Sequence, residues 1–174
     1  MDNLWAPWRM KYIENILTDR KGKCIFCAKP EENNDKANMI ITRGKKCFVI
    51  MNLYPYNNGH LMIAPYAHVP NLTSLDNETI LEILKMLQKC EQALRSSFHP
   101  DGFNVGVNIG RAAGAGIDQH IHFHVVPRWN GDTNFMPVLD NTKVIVQSLE
   151  DTYNTLKPLF EKQTKSLGQL EGNE

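Results

Sequence analysis

Three histidines at alternate positions are the most chemically informative feature of this 174-residue sequence. His120, His122 and His124 are separated by single apolar residues, a spacing typical of a β-strand that carries all three imidazoles on one face. Histidine can act as nucleophile, acid, base or metal ligand near pH 7. The row therefore predicts a metal site or a nucleophilic histidine between two helpers, rather than an ordinary polar strand face.

A glycine-rich loop directly precedes the histidines. Its glycines, Gly110, Gly114 and Gly116, fit no dinucleotide or P-loop fingerprint. Glycine nevertheless permits close backbone approach, and such a loop can aim several N–H groups at an anion. Because Asn108 and Arg111 stand beside it, the interpretation as a phosphate-binding loop is favoured over a simple turn.

The cysteines fall into two kinds. Cys24 and Cys27 form a C-x-x-C pair, which is half of a tetrahedral zinc site. No second C-x-x-C exists in the sequence, so the other ligands would be histidines or carboxylates far away along the chain. A redox dithiol is the competing interpretation, although no thioredoxin-like βαβ pattern surrounds the pair. Cys47 and Cys90 have apolar neighbours and are interpreted as core residues.

The composition is that of an ordinary globular protein, with 42% hydrophobic and 22% charged residues. Nineteen basic residues balance nineteen acidic ones, so no global charge favours nucleic acid or a membrane surface as a partner. No signal-peptide pattern or membrane-length apolar run is visible. We therefore expect a soluble cytoplasmic protein, in which cysteines serve as thiols or metal ligands.

The elements that position these groups follow from the apolar patterns. The sequence predicts strands at 47–51, 60–64 and 103–109, a helix at 76–98, another near 146–163, and a polar loop at 29–38. Asp76 caps the long helix, whose apolar stripe includes Ile80 and Leu84 and which ends near His99. Strands, a helix, more strands and a final helix indicate an α+β fold with an antiparallel sheet.

The residues 120–126 match the signature His-φ-His-φ-His-φ-φ of the histidine triad (HIT) family in every position. Residues 57–65, followed by His68, resemble the family's Gly-His-strand-Pro segment, and residues 108–110 resemble its Asn-x-Gly phosphate motif. The whole chain resembles the prokaryotic diadenosine tetraphosphate phosphorylase branch. The resemblance implies a single HIT-like domain over residues 1–174.

Within that domain, the resemblance places the core at about residues 24–130, between an N-terminal aromatic segment (1–23) and a C-terminal helix and tail (146–174). It implies a nucleotide phosphorylase or nucleotidyltransferase that cleaves dinucleoside polyphosphates such as diadenosine tetraphosphate, with an adenine nucleotide and inorganic phosphate as ligands. A hydrolase of diadenosine polyphosphates or adenosine phosphoramidates is one alternative. A nucleotide-binding interaction protein without turnover is another. The family also implies a homodimer or a higher homo-oligomer.

The resemblance assigns roles residue by residue. His122 would attack the α-phosphorus and form a nucleotidyl-histidine, while His124 stabilises the phosphoryl oxygens and His120 completes the catalytic triad. The nucleotide would be bound by Asn52, His60, Asn108, Gly110, Gly114, Gly116 and His124, with Asn52 on the ribose and Phe48 and Ile50 beside the base.

The same relatives pair the C-x-x-C with two histidines, which implies a structural zinc held by Cys24, Cys27, His68 and His120. One departure concerns the leaving group. Many members carry Ser or Thr three residues before the first triad histidine, where this chain has Ile117. Leaving-group handling is therefore expected to differ from that of the hydrolytic branches, with Arg111 and Arg128 favouring a second anion.

Overall fold

The fold is a five-stranded antiparallel sheet with helices, seen in a computed structural model that describes residues 24–133 and 144–170. The strands are β1 (Ile40–Arg43), β2 (Cys47–Met51), β3 (Leu61–Pro65), β4 (Gly102–Val107) and β5 (Phe123–Arg128), and the helices are α1 (Ile25–Glu31), α2 (Asn77–Phe98) and α3 (Leu149–Leu170). The spatial order is β1-β2-β3-β5-β4, and every neighbouring pair is antiparallel. The α+β prediction is confirmed. The expected N-terminal aromatic segment lies outside the described residues.

The long helix α2 begins and ends where the sequence predicts. The Asp76 carboxylate accepts the Thr79 N–H at 2.7 Å, and the exposed His99 closes the helix in a left-handed conformation with φ 47°. The predicted apolar stripe is partly wrong, because Ile80 and Leu84 are exposed. The residues that α2 buries are instead Thr79, Ile83, Met86, Cys90, Ala93 and Leu94.

The two faces of the sheet bury different clusters. One face packs against α2 and α3, and its core includes Cys47 and Cys90, both fully buried as predicted. The opposite face carries the strand residues Phe48, Ile50 and Met62 and is covered by Phe26 of α1. This second face also carries His60 and His124, because side chains alternate along β3 and β5 and Met62 pairs with His124.

The prediction that all three triad histidines lie in a strand is wrong, because β5 starts at Phe123 and only His124 belongs to it. The reason lies in Pro65, which ends β3 and has no N–H for a further ladder bond. The Pro65 carbonyl instead faces Nε2 of His120 at 2.9 Å, and the Ile121 N–H donates to the Val69 carbonyl at 2.7 Å.

The prediction of a polar loop over residues 29–38 is also wrong for residues 29–31, which are helical. Ile25–Glu31 forms α1, a helix whose side chain Phe26 is only 1% exposed. The short strand β1 was not predicted at all. By contrast, β2 has the predicted bounds, the β2–β3 hairpin is confirmed, and β4 begins and ends within two residues of its prediction. No helix in the described parts of the chain is long and apolar enough to cross a membrane.

Candidate functional site

Four potential metal ligands from three separate segments meet at the start of the triad. Cys24 precedes α1, Cys27 lies in its first turn, His68 follows β3, and His120 precedes β5. Their ligand atoms all lie within 4.8 Å of one another. Sγ of Cys24 is 3.4 Å from Nδ1 of His120, and Sγ of Cys27 is 3.3 Å from Nδ1 of His68. The structure thus brings together the four residues that the resemblance selected.

These separations fit a tetrahedral zinc site. Zinc–sulfur and zinc–nitrogen bonds of roughly 2.0–2.3 Å place ligand atoms roughly 3.3–3.8 Å apart. Nδ1 of His120 lies 3.6 Å from Sγ of Cys27 and 3.2 Å from Nδ1 of His68, close to those tetrahedral edges. Because Nε2–H of His120 donates to the Pro65 carbonyl, Nδ1 keeps its lone pair on the side of the thiols.

The electrostatics of this cluster also suit a cation. Burial lowers the pKa of His120 to about 4, so its imidazole is neutral and able to ligate at pH 7. Burial, reinforced by the neighbouring Cys24, raises the pKa of the Cys27 thiol to about 11. A divalent cation reverses that preference, because it binds the thiolate form.

The imidazole of His122 is held differently. Its Nδ1–H donates to the His120 carbonyl at 2.8 Å, which leaves Nε2 as the unprotonated nitrogen. Burial lowers the pKa of His122, so the ring stays neutral at pH 7, and only 5% of the residue is exposed. The Phe26 ring packs 4.7 Å from the imidazole. A buried neutral imidazole with a fixed tautomer is what a nitrogen nucleophile requires.

The tautomer of His124 is determined by its hydrogen bond with His60. The Tyr56 N–H donates to Nδ1 of His60 at 3.1 Å, and the Asn52 side-chain amide lies 3.3 Å from the same nitrogen. Both groups are donors, so Nδ1 of His60 is the acceptor and Nε2 carries the proton. Nε2–H of His60 then donates to Nδ1 of His124 at 3.0 Å. His124 is left with its own proton on Nε2, where it can serve as a donor to an anion.

The predicted nucleotide-binding residues lie around the histidines His60, His122 and His124. Asn52 is buried at the end of β2, and its side-chain oxygen accepts the Tyr54 N–H at 2.9 Å. Asn108 follows β4, one step beyond the pairing of Val107 with Phe123, which places it beside His122 in the sheet register. Gly110 and Gly114 adopt φ of 79° and 89°, values that only glycine adopts readily, whereas Gly116 shows no such requirement.

Arg111 and Arg128, the two arginines expected to bind a second anion, both form ion pairs with carboxylates. Arg128 donates to both carboxylate oxygens of Asp132 and to the Asn104 side chain, so it is committed to a structural network. Arg111 donates through Nε to Asp118 at 2.9 Å, but its side chain remains 84% exposed beside the glycine loop. Ile117 packs against the apolar cluster around Phe26 and Phe48. Of the two arginines, only Arg111 remains a candidate for an anion.

Comparison with known proteins identifies the family. Residues 33–131, more than half of the chain, match the family described as the HIT domain. The chain belongs to the histidine triad (HIT) family. A relative from Mycobacterium tuberculosis named AP-4-A phosphorylase is 37% identical over 168 residues, which cover 94% of this chain and 86% of the relative.

Solved structures agree with this HIT assignment. A zinc-bound histidine triad family protein from Mycobacterium smegmatis is 28% identical, with a TM-score of 0.66 over 83% of this chain and 97% of that protein. A hypothetical histidine triad nucleotide-binding protein from Sulfolobus tokodaii is 25% identical, with a TM-score of 0.64 over 86% of this chain and 97% of that one. The predicted HIT-like fold is therefore confirmed.

Two aromatic residues of this HIT site were not predicted as site residues. Phe26 contacts the imidazoles of His120 and His122, with ring centroids 5.3 and 4.7 Å apart. Tyr56 contacts those of His60 and His124. The available signals were weak: Phe26 stands between the two cysteines, and Tyr56 follows a proline in a segment that reads as a turn.

Proposed function

We propose that this HIT protein is a nucleotide phosphorylase that cleaves dinucleoside polyphosphates, such as diadenosine tetraphosphate, through a nucleotidyl-His122 intermediate. The observation that carries the proposal is the hydrogen bond from Nδ1–H of His122 to the His120 carbonyl. This bond leaves Nε2 unprotonated and therefore available as a nucleophile. The relative named AP-4-A phosphorylase supports the choice of substrate class.

The first step is a displacement at phosphorus. The Nε2 lone pair of His122 forms a bond to the α-phosphorus while the bond from phosphorus to the bridging oxygen breaks, releasing a nucleoside triphosphate. Nε2–H of His124 and the Asn108 amide would donate to the phosphoryl oxygens as charge builds on them. Asn52 would hold the ribose, and the apolar side chains of Phe48 and Ile50 would flank the base.

The second step regenerates the enzyme. A phosphate oxygen attacks the same phosphorus, the phosphorus–nitrogen bond to His122 breaks, and ADP is released. Ile117 supplies no side-chain proton donor for a leaving group, which favours a fully ionised triphosphate as leaving group over a poorer one. The exposed guanidinium of Arg111, next to the glycine loop, is the group best placed to attract the incoming phosphate dianion.

Product analysis with labelled inorganic phosphate tests this proposal. Diadenosine tetraphosphate is incubated with the protein with and without the label, using His122→Asn as the control. A phosphorylase produces ATP together with ADP that carries the label, and His122→Asn produces neither. AMP with ATP at a rate independent of phosphate would assign the protein to hydrolases. Tight nucleotide binding without any turnover would assign it to interaction proteins.

We further propose that zinc binds Cys24, Cys27, His68 and His120. When bound, the ion would supply a structural crosslink, because four protein ligands close its tetrahedron and leave no position for substrate. The crosslink would join α1 to the segment after β3 and to the segment before β5, and so fix the carbonyl that orients His122. The test is metal analysis of protein purified without chelators, with about one zinc per chain expected.

We infer that the protein forms a homodimer in the cytoplasm. β4 is an edge strand of the sheet, and its Val105 is 53% exposed. Leu81 and Leu84 of α2 are also 53% exposed, so an edge and a helix both present apolar surface. The four free thiols suit a reducing compartment. Light scattering of the purified protein should give twice the chain mass, and Leu84→Glu with Val105→Glu should shift it towards the monomer.

A further inference from the structure

Tyr56 lies outside the triad motif but packs against its last histidine. The centroid of its ring is 4.7 Å from that of His60, at an interplanar angle of 37°, and 5.9 Å from that of His124, at 29°. The residue is 40% exposed, so its ring lies between the two imidazoles and solvent. It therefore covers the hydrogen-bonded pair of His60 and His124 from outside.

The backbone of Tyr56 acts on the same pair. Its N–H donates to Nδ1 of His60 at 3.1 Å, which places the His60 proton on Nε2, and Nε2–H donates onward to Nδ1 of His124 at 3.0 Å. His60 is only 1% exposed, and a hydrogen bond between two imidazoles persists best where water does not compete for either partner. A ring stacked over the pair excludes water from one side and restricts the rotation of both imidazoles.

We propose that Tyr56 is a positioning residue for His124, holding its imidazole in the orientation and tautomer that present Nε2–H to the substrate phosphate. The role belongs to the ring rather than to the hydroxyl, because the ring makes the contacts with both imidazoles. This inference rests on the proposed phosphorylase function for its kinetic consequence, but its effect on the His124 tautomer does not depend on that function.

The test compares Tyr56→Ala, Tyr56→Phe and wild type with diadenosine tetraphosphate and phosphate. Tyr54→Ala is the matched control, since Tyr54 stands two residues earlier in the same loop and is 46% exposed. In Tyr56→Ala, kcat should fall about five- to tenfold, as expected for loss of an aromatic pair, while KM changes less than about twofold. Tyr56→Phe and Tyr54→Ala should stay within about twofold of wild type in both constants.

A nitrogen-15 NMR measurement of the histidine tautomers provides a readout that a purely structural role would not move. Wild type and Tyr56→Phe should show His124 as a single Nε2–H tautomer, and Tyr56→Ala should show a mixture with unchanged zinc content. Tyr56→Leu replaces Tyr56→Ala in both measurements if circular dichroism shows the alanine variant to be unfolded.

Several outcomes would overturn the proposal. These are a Tyr56→Ala protein with wild-type kcat and a single tautomer, a rise in KM alone, or an equal loss in Tyr56→Phe. A rise in KM alone would make Tyr56 a substrate contact, and an equal loss in Tyr56→Phe would assign the role to the hydroxyl. A wild-type protein without turnover contradicts the phosphorylase function, whereas the tautomer spectra still decide the role of Tyr56.

Discussion

His120 and His122 are two residues apart and almost completely buried, yet they present opposite ring nitrogens for chemistry. The Pro65 carbonyl accepts Nε2–H of His120, which leaves Nδ1 for the cysteine cluster. The His120 carbonyl accepts Nδ1–H of His122, which leaves Nε2 unprotonated, as the proposed attack on phosphorus requires. The neighbouring backbone acceptor, rather than the residue type, therefore decides which histidine suits a metal and which suits a nucleophile.

The surroundings of His120 and of His122 also differ in the chemistry of their side chains. On the side of His120 the partners are thiols and His68, the soft and borderline donors that zinc prefers. On the side of His122 the neighbouring ring is His124, which is bonded in turn to His60. One group links the regions, because the carbonyl that orients His122 belongs to His120. We therefore expect changes around His122 to leave zinc binding at the proposed cysteine site unaffected, and changes at that site to affect the proposed catalysis only indirectly.

The largest effect is expected for His122→Asn. The variant loses the nucleophilic nitrogen, so kcat should fall about 10³-fold or more, with little change in substrate affinity. Zinc content and thermal unfolding should remain those of wild type, because the cysteine cluster is intact. Single-turnover kinetics check the loss of kcat, and metal analysis of the same preparation checks that the zinc content is unchanged. Loss of zinc together with activity would contradict the separation of the two regions.

His124→Asn should have a smaller effect on the same side. It removes one donor to the phosphoryl oxygens but not the covalent step, so kcat should fall about 10²-fold. The nucleotidyl intermediate should still form, more slowly, and a pre-steady-state burst would detect it. A loss as large as that of His122→Asn would mean that His124, and not His122, carries the essential nitrogen.

Cys24→Ser should act mainly on stability. Loss of the metal removes folding energy, so the free energy of unfolding should fall by several kcal/mol, measured by denaturant titration with and without a chelator. For the fraction that remains folded, kcat should fall less than about tenfold, since every group proposed to contact the substrate is retained. Cys90→Ser is the matched control: it is fully buried in the other cluster and should lose stability without losing zinc.

Phe26→Leu should give the smallest effect and act on both regions at once, because Phe26 contacts both His120 and His122. The loss of a buried ring should cost about 1–2 kcal/mol of stability, and zinc affinity and kcat should each decline slightly. Phe160→Leu, at an equally buried residue of α3 in the opposite cluster, should cost similar stability and leave both properties unchanged. Identical zinc affinity and kcat in the two variants would remove Phe26 from the site.

Local patterns predicted much of this molecule. The strand at 47–51 and the helix capped by Asp76 were predictable because apolar periodicity and capping chemistry act within a few residues. The exposed Ile80 and Leu84 were not, since a stripe of this width allows several rotations of the helix, and packing against the sheet selects one. The start of β5 depended on Pro65, which is 58 residues away from Phe123 along the chain, and periodicity within one strand contains no such information.

The site, too, was predictable where the signal is local in the sequence and unpredictable where it depends on the folded chain. Spacing identified the triad, and family resemblance selected His68 and His120 as partners of the cysteines. The contacts of Phe26 and Tyr56 with the imidazoles could not be predicted, because each depends on how a separate segment packs over the second face of the sheet. Which ring nitrogen each histidine presents also required the positions of particular carbonyls, which exist only in the folded chain.

The most direct test of the nucleophilic role of His122 is capture of the covalent intermediate. Diadenosine tetraphosphate labelled at the α-phosphorus is mixed with the enzyme without inorganic phosphate, quenched rapidly in base, and digested with trypsin. The label should appear as an adenylyl group on Nε2 of His122, in the peptide spanning 112–128, and should disappear when phosphate is added before the quench. An adduct on His120 or His124, on Nδ1 of His122, or absent under single-turnover conditions would contradict the assignment of opposite ring nitrogens to metal and phosphorus.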